Sequence, residues 1–323
     1  MFVGISIVTP TLGRPEEIAG LAGNLAGQSL LPQEWIVVDG ADPQDYRSQE
    51  ALETAGGFPF GLNYIRHGGG TAVQRNIGID AAKGDYVAFV DDDIRLEPDF
   101  LKRIVETFQE DTETQVGGVA GYVTNQHLDP ATSPRWRLYR KLGLFTTYEP
   151  GRYDYHVGYP INRYLQPPHD GLREIDFMGA GCSVWRAEVF RRGLRFDEFF
   201  SGFGVLEDAH LALQAKRNWK LLEHGKARCS HLKAQSSRES GFSVGRKSAV
   251  NYRYVFVDIV PSRSTRQELR FWLVQLVDFG SAVAACFRGG GRRTLGFVFG
   301  KFVGLFQAAM VRGQKPVKTA TKL

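Results

Sequence analysis

Apolar positions along the first hundred residues fall into short β-branched runs separated by stretches with helical spacing. Ile5 to Thr9 is such a run, stopped by Pro10, and predicts a buried strand giving way to a loop. Residues 15–28 open with Pro15, Glu16 and Glu17 and then repeat apolar side chains at helical intervals. Glu34–Asp39 predicts a second strand, broken by Gly40 and Pro43, and Leu62–Arg66 a third. Thr71–Lys83 predicts a helix ended by Gly84, followed by a fourth strand at Asp85–Val90. Asp99 is placed to cap the next helix. Strands alternating with helices at this interval predict an α/β fold with a mostly parallel central sheet flanked by helices. Ligands in such sheets sit beyond the carboxyl ends of the strands. Thr9-Pro10-Thr11, Asp39 and Asp91-Asp92-Asp93 all lie at such ends.

The pattern weakens from about 130 to 175, where Trp136, Tyr139, Tyr148, Tyr153, Tyr155, Tyr159 and Tyr164 are interleaved with arginine, proline and glycine. Such a long irregular stretch inside a compact domain marks a functional or mobile segment. Pattern returns at Ile175–Trp185 and in a helical run from Glu207 to Arg217. The last sixty residues are different again. Leu269–Phe287 and Thr294–Val311 are strongly apolar and are joined by a basic, glycine-rich linker. A membrane span needs about 20 uninterrupted apolar residues. Asp278 and Lys301 interrupt the two segments, each costing about 2.5–3.5 kcal/mol at a bilayer centre. The expectation is therefore a C-terminal amphipathic extension of two interfacial helices, the alternative being a hairpin packed on the body.

Charge supports that division. The net +5 separates into 11 basic and 2 acidic residues in 261–323, against 29 basic and 33 acidic residues before them. A slightly acidic body argues against nucleic acid as partner, whereas the basic tail suits an anionic membrane surface. The three cysteines form no CxxC pair, which argues against a zinc site or disulfide scaffold and suits a reducing compartment. The first residues lack a basic stretch and a long apolar core, and read as a strand rather than a signal peptide.

Three consecutive aspartates after an apolar strand repel one another unless cations sit nearby. A strand-end carboxylate cluster is suited to Mg²⁺ or Mn²⁺ whose remaining positions go to phosphate oxygens, or else to a solvated turn. Gly68–Gly70, before a helix, offers backbone N–H groups to an anion. Arg75 reads equally as an anion ligand or as an ion-pair partner. Glu207-Asp208 opens an amphipathic helix, whose dipole is expected to favour the ionised carboxylates.

These residues resemble the family 2 inverting GT-A glycosyltransferases. Val8-Thr9-Pro10, Val37-Val38-Asp39, Arg75-Asn76 with Gly78, and Asp91 with Asp93 carry the likeness. Further on come Gly179-Ala180-Gly181 with Arg186, Phe196-Asp197-Glu198, Glu207-Asp208 and His231, so that the ordered set covers roughly residues 4–256. The resemblance implies transfer of a sugar from a nucleotide donor, commonly a UDP-sugar, to a saccharide or lipid-linked saccharide acceptor. It assigns the donor to Thr9, Pro10, Thr11, Asp39, Arg75, Asn76, Asp91 and Asp92, with Asp39 on the base edge. It assigns Mg²⁺ or Mn²⁺ to Asp93, Asp91 and His231, the base role to Asp208 with Glu207 beside it, and the acceptor to Gly179, Ala180, Gly181 and Trp185. The implied organisation is a Rossmann-like GT-A catalytic domain over 1–260, with a nucleotide half to 125 and an acceptor half from 126. A membrane-associating tail over 261–323 would hold it on the cytoplasmic face of the membrane as a peripheral protein.

The likeness is weaker over 130–175, where aromatic faces for sugars and arginines for a lipid diphosphate would make an acceptor site, the alternative being a folded aromatic loop. The chain departs from the family pattern at three points. Gly40-Ala41 follows Asp39 where another aspartate is usual, His210 stands two residues after the acidic pair, and Val250-Asn251 replaces an Arg-Asn pair. Two other functions remain. A sugar-phosphate nucleotidyltransferase would want a richer glycine loop after strand one than Thr11-Leu12-Gly13-Arg14-Pro15. A non-catalytic carbohydrate- or membrane-binding scaffold would have no use for both acidic clusters.

Overall fold

A computed structural model describes residues 4–200, 202, 204–233 and 239–311 of the 323-residue chain. In chain order the elements begin β1 (Ile5–Thr11), α1 (Pro15–Ala26), β2 (Glu34–Asp39), α2 (Arg47–Ala55), β3 (Gly61–Arg66) and α3 (Thr71–Ala81). There follow β4 (Tyr86–Val90), β5 (Ile94–Leu96), α4 (Phe100–Glu110), β6 (Val116–Val123), α5 (Pro134–Lys141), β7 (Tyr153–Asp154) and β8 (Tyr159–Pro160). The remainder is β9 (Leu172–Ile175), β10 (Cys182–Arg186), α6 (Ala187–Arg191), α7 (Glu207–Ala215), β11 (Lys220–His231), α8 (Gly241–Ile259), α9 (Thr265–Phe287) and α10 (Arg292–Met310).

The chain divides into two compact units, one of Met1–Asp129, Pro150–Arg152 and Asn162–Arg238, the other of Pro130–Glu149, Tyr153–Ile161 and Glu239–Leu323. A boundary at 260, with halves meeting at 125, is thus not where the contacts divide. The physical reason is that α8, expected in the catalytic part, packs along α10. Residues 312–323 of the expected tail lie outside the described residues.

The first unit holds a nine-stranded sheet in the order β3-β2-β1-β4-β10-β6-β11-β5, with β9 also paired to β11. β3, β2, β1 and β4 run parallel, as do β6 and β11, while β10, β5 and β9 run antiparallel. The alternation of strand and helix produces the parallel half, since each crossover helix returns the chain to the same end of the sheet. β1 passes through Pro10 to Thr11 rather than stopping at Thr9. Its ladder with β4 ends at Val8 while that with β2 continues, and a proline is tolerated on such a one-sided stretch. Ile5, Ile7, Ala88 and Val90 are buried against Ile18, Leu21 and Leu25 of α1 and Leu101, Ile104 and Phe108 of α4. Each large side chain so buried contributes about 1.5–3 kcal/mol. Asp99 stands before α4 but does not cap it, because its carboxylate accepts from the Ser29 hydroxyl at 2.7 Å.

The second unit explains the aromatic segment. Trp136, Tyr139, Phe145 and Tyr159 form edge and tilted ring contacts at 5.1–6.3 Å, and Tyr252 of α8 joins them 5.0 Å from Tyr159. Trp136, Tyr139, Tyr153 and Tyr159 are buried. These rings are the core of the second unit rather than an open sugar platform.

Candidate active site

The carboxyl ends of β1, β2 and β4 meet as the topology requires, and the three aspartates after β4 part company there. A turn closed by the Ile94 N–H on the Asp91 carbonyl sends each side chain to a different partner. Asp91 accepts from Arg75 Nη2 at 2.9 Å. Asp92 turns back under the sheet end, accepting from the Thr11 hydroxyl at 2.7 Å and from Arg14 Nη1 at 2.9 Å. Asp93 lies 3.0 Å from His231 Nε2 at the end of β11. Arg75 and Arg14 each offset the charge of one acid in the run, and His231 hydrogen-bonds the third. Burial nevertheless raises the Asp92 carboxyl to about 6 against the pull of Arg14.

Asp39 is almost fully buried at the end of β2. Its Oδ1 accepts from the Gly13 and Ala41 N–H groups at 3.1 and 2.9 Å, and its Oδ2 from the Tyr64 hydroxyl at 2.6 Å. Gln74 pins the neighbouring strand ends by donating to the Thr11 and Val38 carbonyls at 2.8 Å. Thr9 is spent on Trp35, whose Nε1 donates to its Oγ1 at 2.9 Å. Asn76 binds both backbone groups of Phe196 at 2.9 Å, fixing the segment that leads to α7.

Arg75 is the hinge of the arrangement. Its guanidinium, buried on α3, donates to Asp91 at 2.9 Å and to Glu207 Oε1 at 3.0 Å. It therefore stands between the strand-end acids and the α7 acids as an ion-pair bridge, with little surface left for a donor. Leu206, immediately before α7, is held left-handed at φ 72°, an uncommon conformation for a branched side chain. Glu207 is buried and Asp208 half-buried. Asp208 accepts from the Ala209 N–H at 2.7 Å and from the Ala180 N–H at 3.3 Å. The helix dipole favours the ionised pair, and burial opposes it. Burial raises both carboxyls, and for Glu207 the adjoining Asp208 charge adds to it, outweighing Arg75.

Gly179-Ala180-Gly181 precedes β10 and brings bare backbone to the acids. A Cβ on Gly181 would overlap the Asp91 carboxylate, and one on Gly179 would touch Asp208 Oδ2 at 3.4 Å. Gly204 does the same for Glu207, since a Cβ there would overlap its carboxyl. Trp185 does not take part. It is 1% exposed, with Nε1 donating to Ser183 at 3.0 Å, because β10 is an interior strand covered on both faces. His210 is a buried ring packed 5.4 Å from Phe200.

For a divalent ion, Asp93 Oδ1 and His231 Nε2 are spaced as adjacent ligands would be. Two donors about 2.1 Å from one ion and at right angles lie about 3 Å apart. Gln126 contacts the other His231 nitrogen and orients the ring. Among the described residues no group of three or more His, Cys, Asp or Glu is gathered to hold an ion, and Asp91 is paired with Arg75. An oxygen and an imidazole with open positions fit Mg²⁺ or Mn²⁺ completed by phosphate oxygens. Arg14, Tyr64, Gln126 and Gly204 were not legible as site residues. Only the glycine, in a Gly-Phe-Gly run before the acidic pair, left a signal in the sequence.

A mostly parallel central sheet flanked by helices, with acidic residues gathered at its strand ends, is the arrangement of a GT-A-type fold, and comparison agrees. The mannosyltransferase PcManGT from Pyrobaculum calidifontis, solved in complex with GDP-Man and Mn²⁺, shares the fold with a TM-score of 0.58. That match covers 96% of this chain and 87% of its own at 13% identity. Residues 6–165 match the model of glycosyl transferase family 2, and over that segment the chain is similar to the family. An uncharacterized glycosyltransferase of Haemophilus influenzae is 28% identical over 108 residues, covering 33% of this chain and 35% of the relative. The succinoglycan biosynthesis protein ExoM of Rhizobium meliloti is 32% identical over 136 residues, 41% of this chain and 42% of the relative. The matches thus span well under half of these relatives' lengths.

Proposed function

We propose that this glycosyltransferase is metal-dependent and inverting, moving a sugar from a nucleotide-sugar donor to the hydroxyl of a saccharide or lipid-linked saccharide. The observation that carries the reading is the half-buried Asp208, oriented by two backbone N–H groups and set beside the Arg75 bridge to Asp91. In inversion a carboxylate opposite the leaving group takes the acceptor proton as the new C–O bond forms and the bond to the diphosphate breaks. Burial raises the Asp208 carboxyl above the usual carboxylate range, which makes it a stronger proton acceptor. Glu207, tied to Arg75, holds the opening of α7 in place. Asp39 already accepts three hydrogen bonds and retains about one of its four lone-pair sites for a ring N–H of the base. Uracil and guanine both present such a donor; the family pattern favours a UDP-sugar. A divalent ion held by Asp93 and His231 would supply Lewis-acid stabilisation of the departing diphosphate.

Mn²⁺ and GDP-Man in the complex of PcManGT support a divalent ion and a nucleotide-sugar donor here. The basic residues of 261–323 support peripheral attachment at the cytoplasmic face of an anionic membrane. Nucleotide diphosphate release from UDP-, GDP- and dTDP-sugars, with Mn²⁺ and with chelator, tests the proposal. Asp208→Asn should abolish release while a donor still raises the melting temperature. Full activity in that variant removes the base assignment, a retained anomeric configuration removes inversion, and no release from any donor favours the scaffold reading. The nucleotidyltransferase alternative is weakened because Arg14, the basic residue after β1, is engaged by Asp92.

A further inference from the structure

The C-terminal helices of the second unit are polarised in the opposite sense to those of a soluble fold. In α9 the exposed positions from Leu269 onward are Leu269, Leu273, Leu276, Gly280, Ala285 and Phe287, without a polar side chain among them. In α10 the exposed positions after Arg293 are Leu295, Phe299, Phe302, Phe306, Ala309 and Met310. The polar and charged residues face inward. Gln275 and Lys301 are each 1% exposed, and Lys301 is paired with Asp278. Asp278 is held in addition by Arg135 at 2.7 Å and by the Tyr139 hydroxyl at 2.7 Å. Only 17% of the most apolar stretch of α9 is buried, so α9 is not a core helix.

We infer that α9 and α10 form a membrane-embedded hairpin that lies in one leaflet, its apolar stripes in the acyl chains and its arginines among anionic headgroups. The inference deepens the peripheral attachment proposed above by assigning the residues and the mode. Asp278 and Lys301, which would oppose insertion if they faced lipid, neutralise each other on the inner side. Crossing is disfavoured by what the inner sides hold. α10 lies along α8 with backbone in contact with backbone. A Cβ on Gly241, Gly245, Gly300 or Gly304 would overlap the facing helix. α8 carries Arg246, Lys247, Arg253 and Asp258. α9 is fastened through Asp278 to α5, which carries Arg135, Arg137, Arg140 and Lys141. Neither helix can traverse a bilayer without taking a charged neighbour with it, whereas each can lie flat with that neighbour on the water side. Arg266, Arg288, Arg292 and Arg293 are exposed at the hairpin's ends, where headgroup phosphates would meet them. That charge pattern selects a lipid surface over a second copy of the chain, which would bring the same arginines together.

The test uses the full chain with vesicles of phosphatidylcholine alone or with about a third phosphatidylserine, at about 0.1 and 0.5 M salt. Sedimentation should show binding to the anionic vesicles that falls but persists at the higher salt. Phe299→Asp with Phe306→Asp, at positions 62% and 64% exposed, should lower partitioning at both salts by about tenfold or more. The melting temperature in the absence of vesicles should stay unchanged. Arg292→Ser with Arg293→Ser should remove only the salt-sensitive part. Native binding by the phenylalanine variant overturns the inference, as does complete release of the native protein at high salt. A dimer in vesicle-free buffer that the same variant dissociates, without vesicle binding, assigns the face to a second copy instead. Failure of the glycosyl-transfer reading would leave these results untouched, since vesicle binding is measured without a donor.

Discussion

Replacing Arg75 by glutamine removes the one cation shared by Asp91 and Glu207. The native guanidinium, 5% exposed, makes charge-assisted bonds of 2.9 and 3.0 Å to side chains 35% and 9% exposed. The Glu207 bond carries most of the effect, because the Asp91 carboxylate can turn to water. Arg75 lowers the pKa values of both Glu207 and Asp208, which burial has already raised. Without it they rise further. A carboxyl whose folded pKa exceeds its unfolded value keeps its proton over the interval between them. The folded state therefore binds more protons there, and stability falls as pH rises through that interval. At pH 5 the variant loses only hydrogen bonding, about 1–3 kcal/mol. At pH 8 it must hold an uncompensated buried carboxylate or protonate it, a cost of about 3–5 kcal/mol. At about 2–4 °C per kcal/mol the variant's melting temperature should drop by about 4–8 °C more at pH 8 than at pH 5. Scanning fluorimetry of both proteins across that range measures the difference without knowledge of the donor. Adding Glu207→Gln should remove most of the pH dependence of the loss, leaving the part that comes from Asp208. Equal losses at the two pH values would refute the bridge as a charge-balancing device.

Gly204→Ala should displace the Glu207 carboxyl, costing about 1–3 kcal/mol in urea unfolding and most of the transfer activity; a variant with native stability and rate contradicts the close approach. His231→Ala should raise the Mn²⁺ concentration for half-maximal nucleotide release by about 10–100-fold, and an unchanged Mn²⁺ titration would detach this residue from the metal. Asp278→Ala should destabilise the chain by about 3–5 kcal/mol because it strands the buried Lys301. Lys301→Met should cost less, since Asp278 keeps Arg135 and Tyr139. Equal chevron-derived losses for the two would show that the charges are not paired as described.

The strands from β1 to β4 and the acidic groups were legible because both depend on local pattern. A β-branched run between turn residues has few alternatives to a strand, and a carboxylate at its end falls at the ligand-binding edge whatever the remainder of the chain does. Partner choice was not legible. Arg75 read equally as an anion ligand and as an ion-pair partner, and only the approach of α7 to α3, 132 residues apart in sequence, decided for the bridge. Asp91, Asp92 and Asp93 looked like one cluster because sequence records adjacency and not direction. Trp185 looked available for the same reason, although an interior strand buries both of its faces.

The C-terminal helices mark the boundary most sharply. Their apolar composition, their basic linker and the two interrupting charges were all present in the sequence. Whether Asp278 and Lys301 faced lipid, water or each other was a matter of rotation about two helix axes. α8 set that rotation by closing on α10 through glycines, and Arg135 reinforced it by binding Asp278. Periodicity fixes which residues share a face, but which way the face turns is settled by packing against segments distant in the chain.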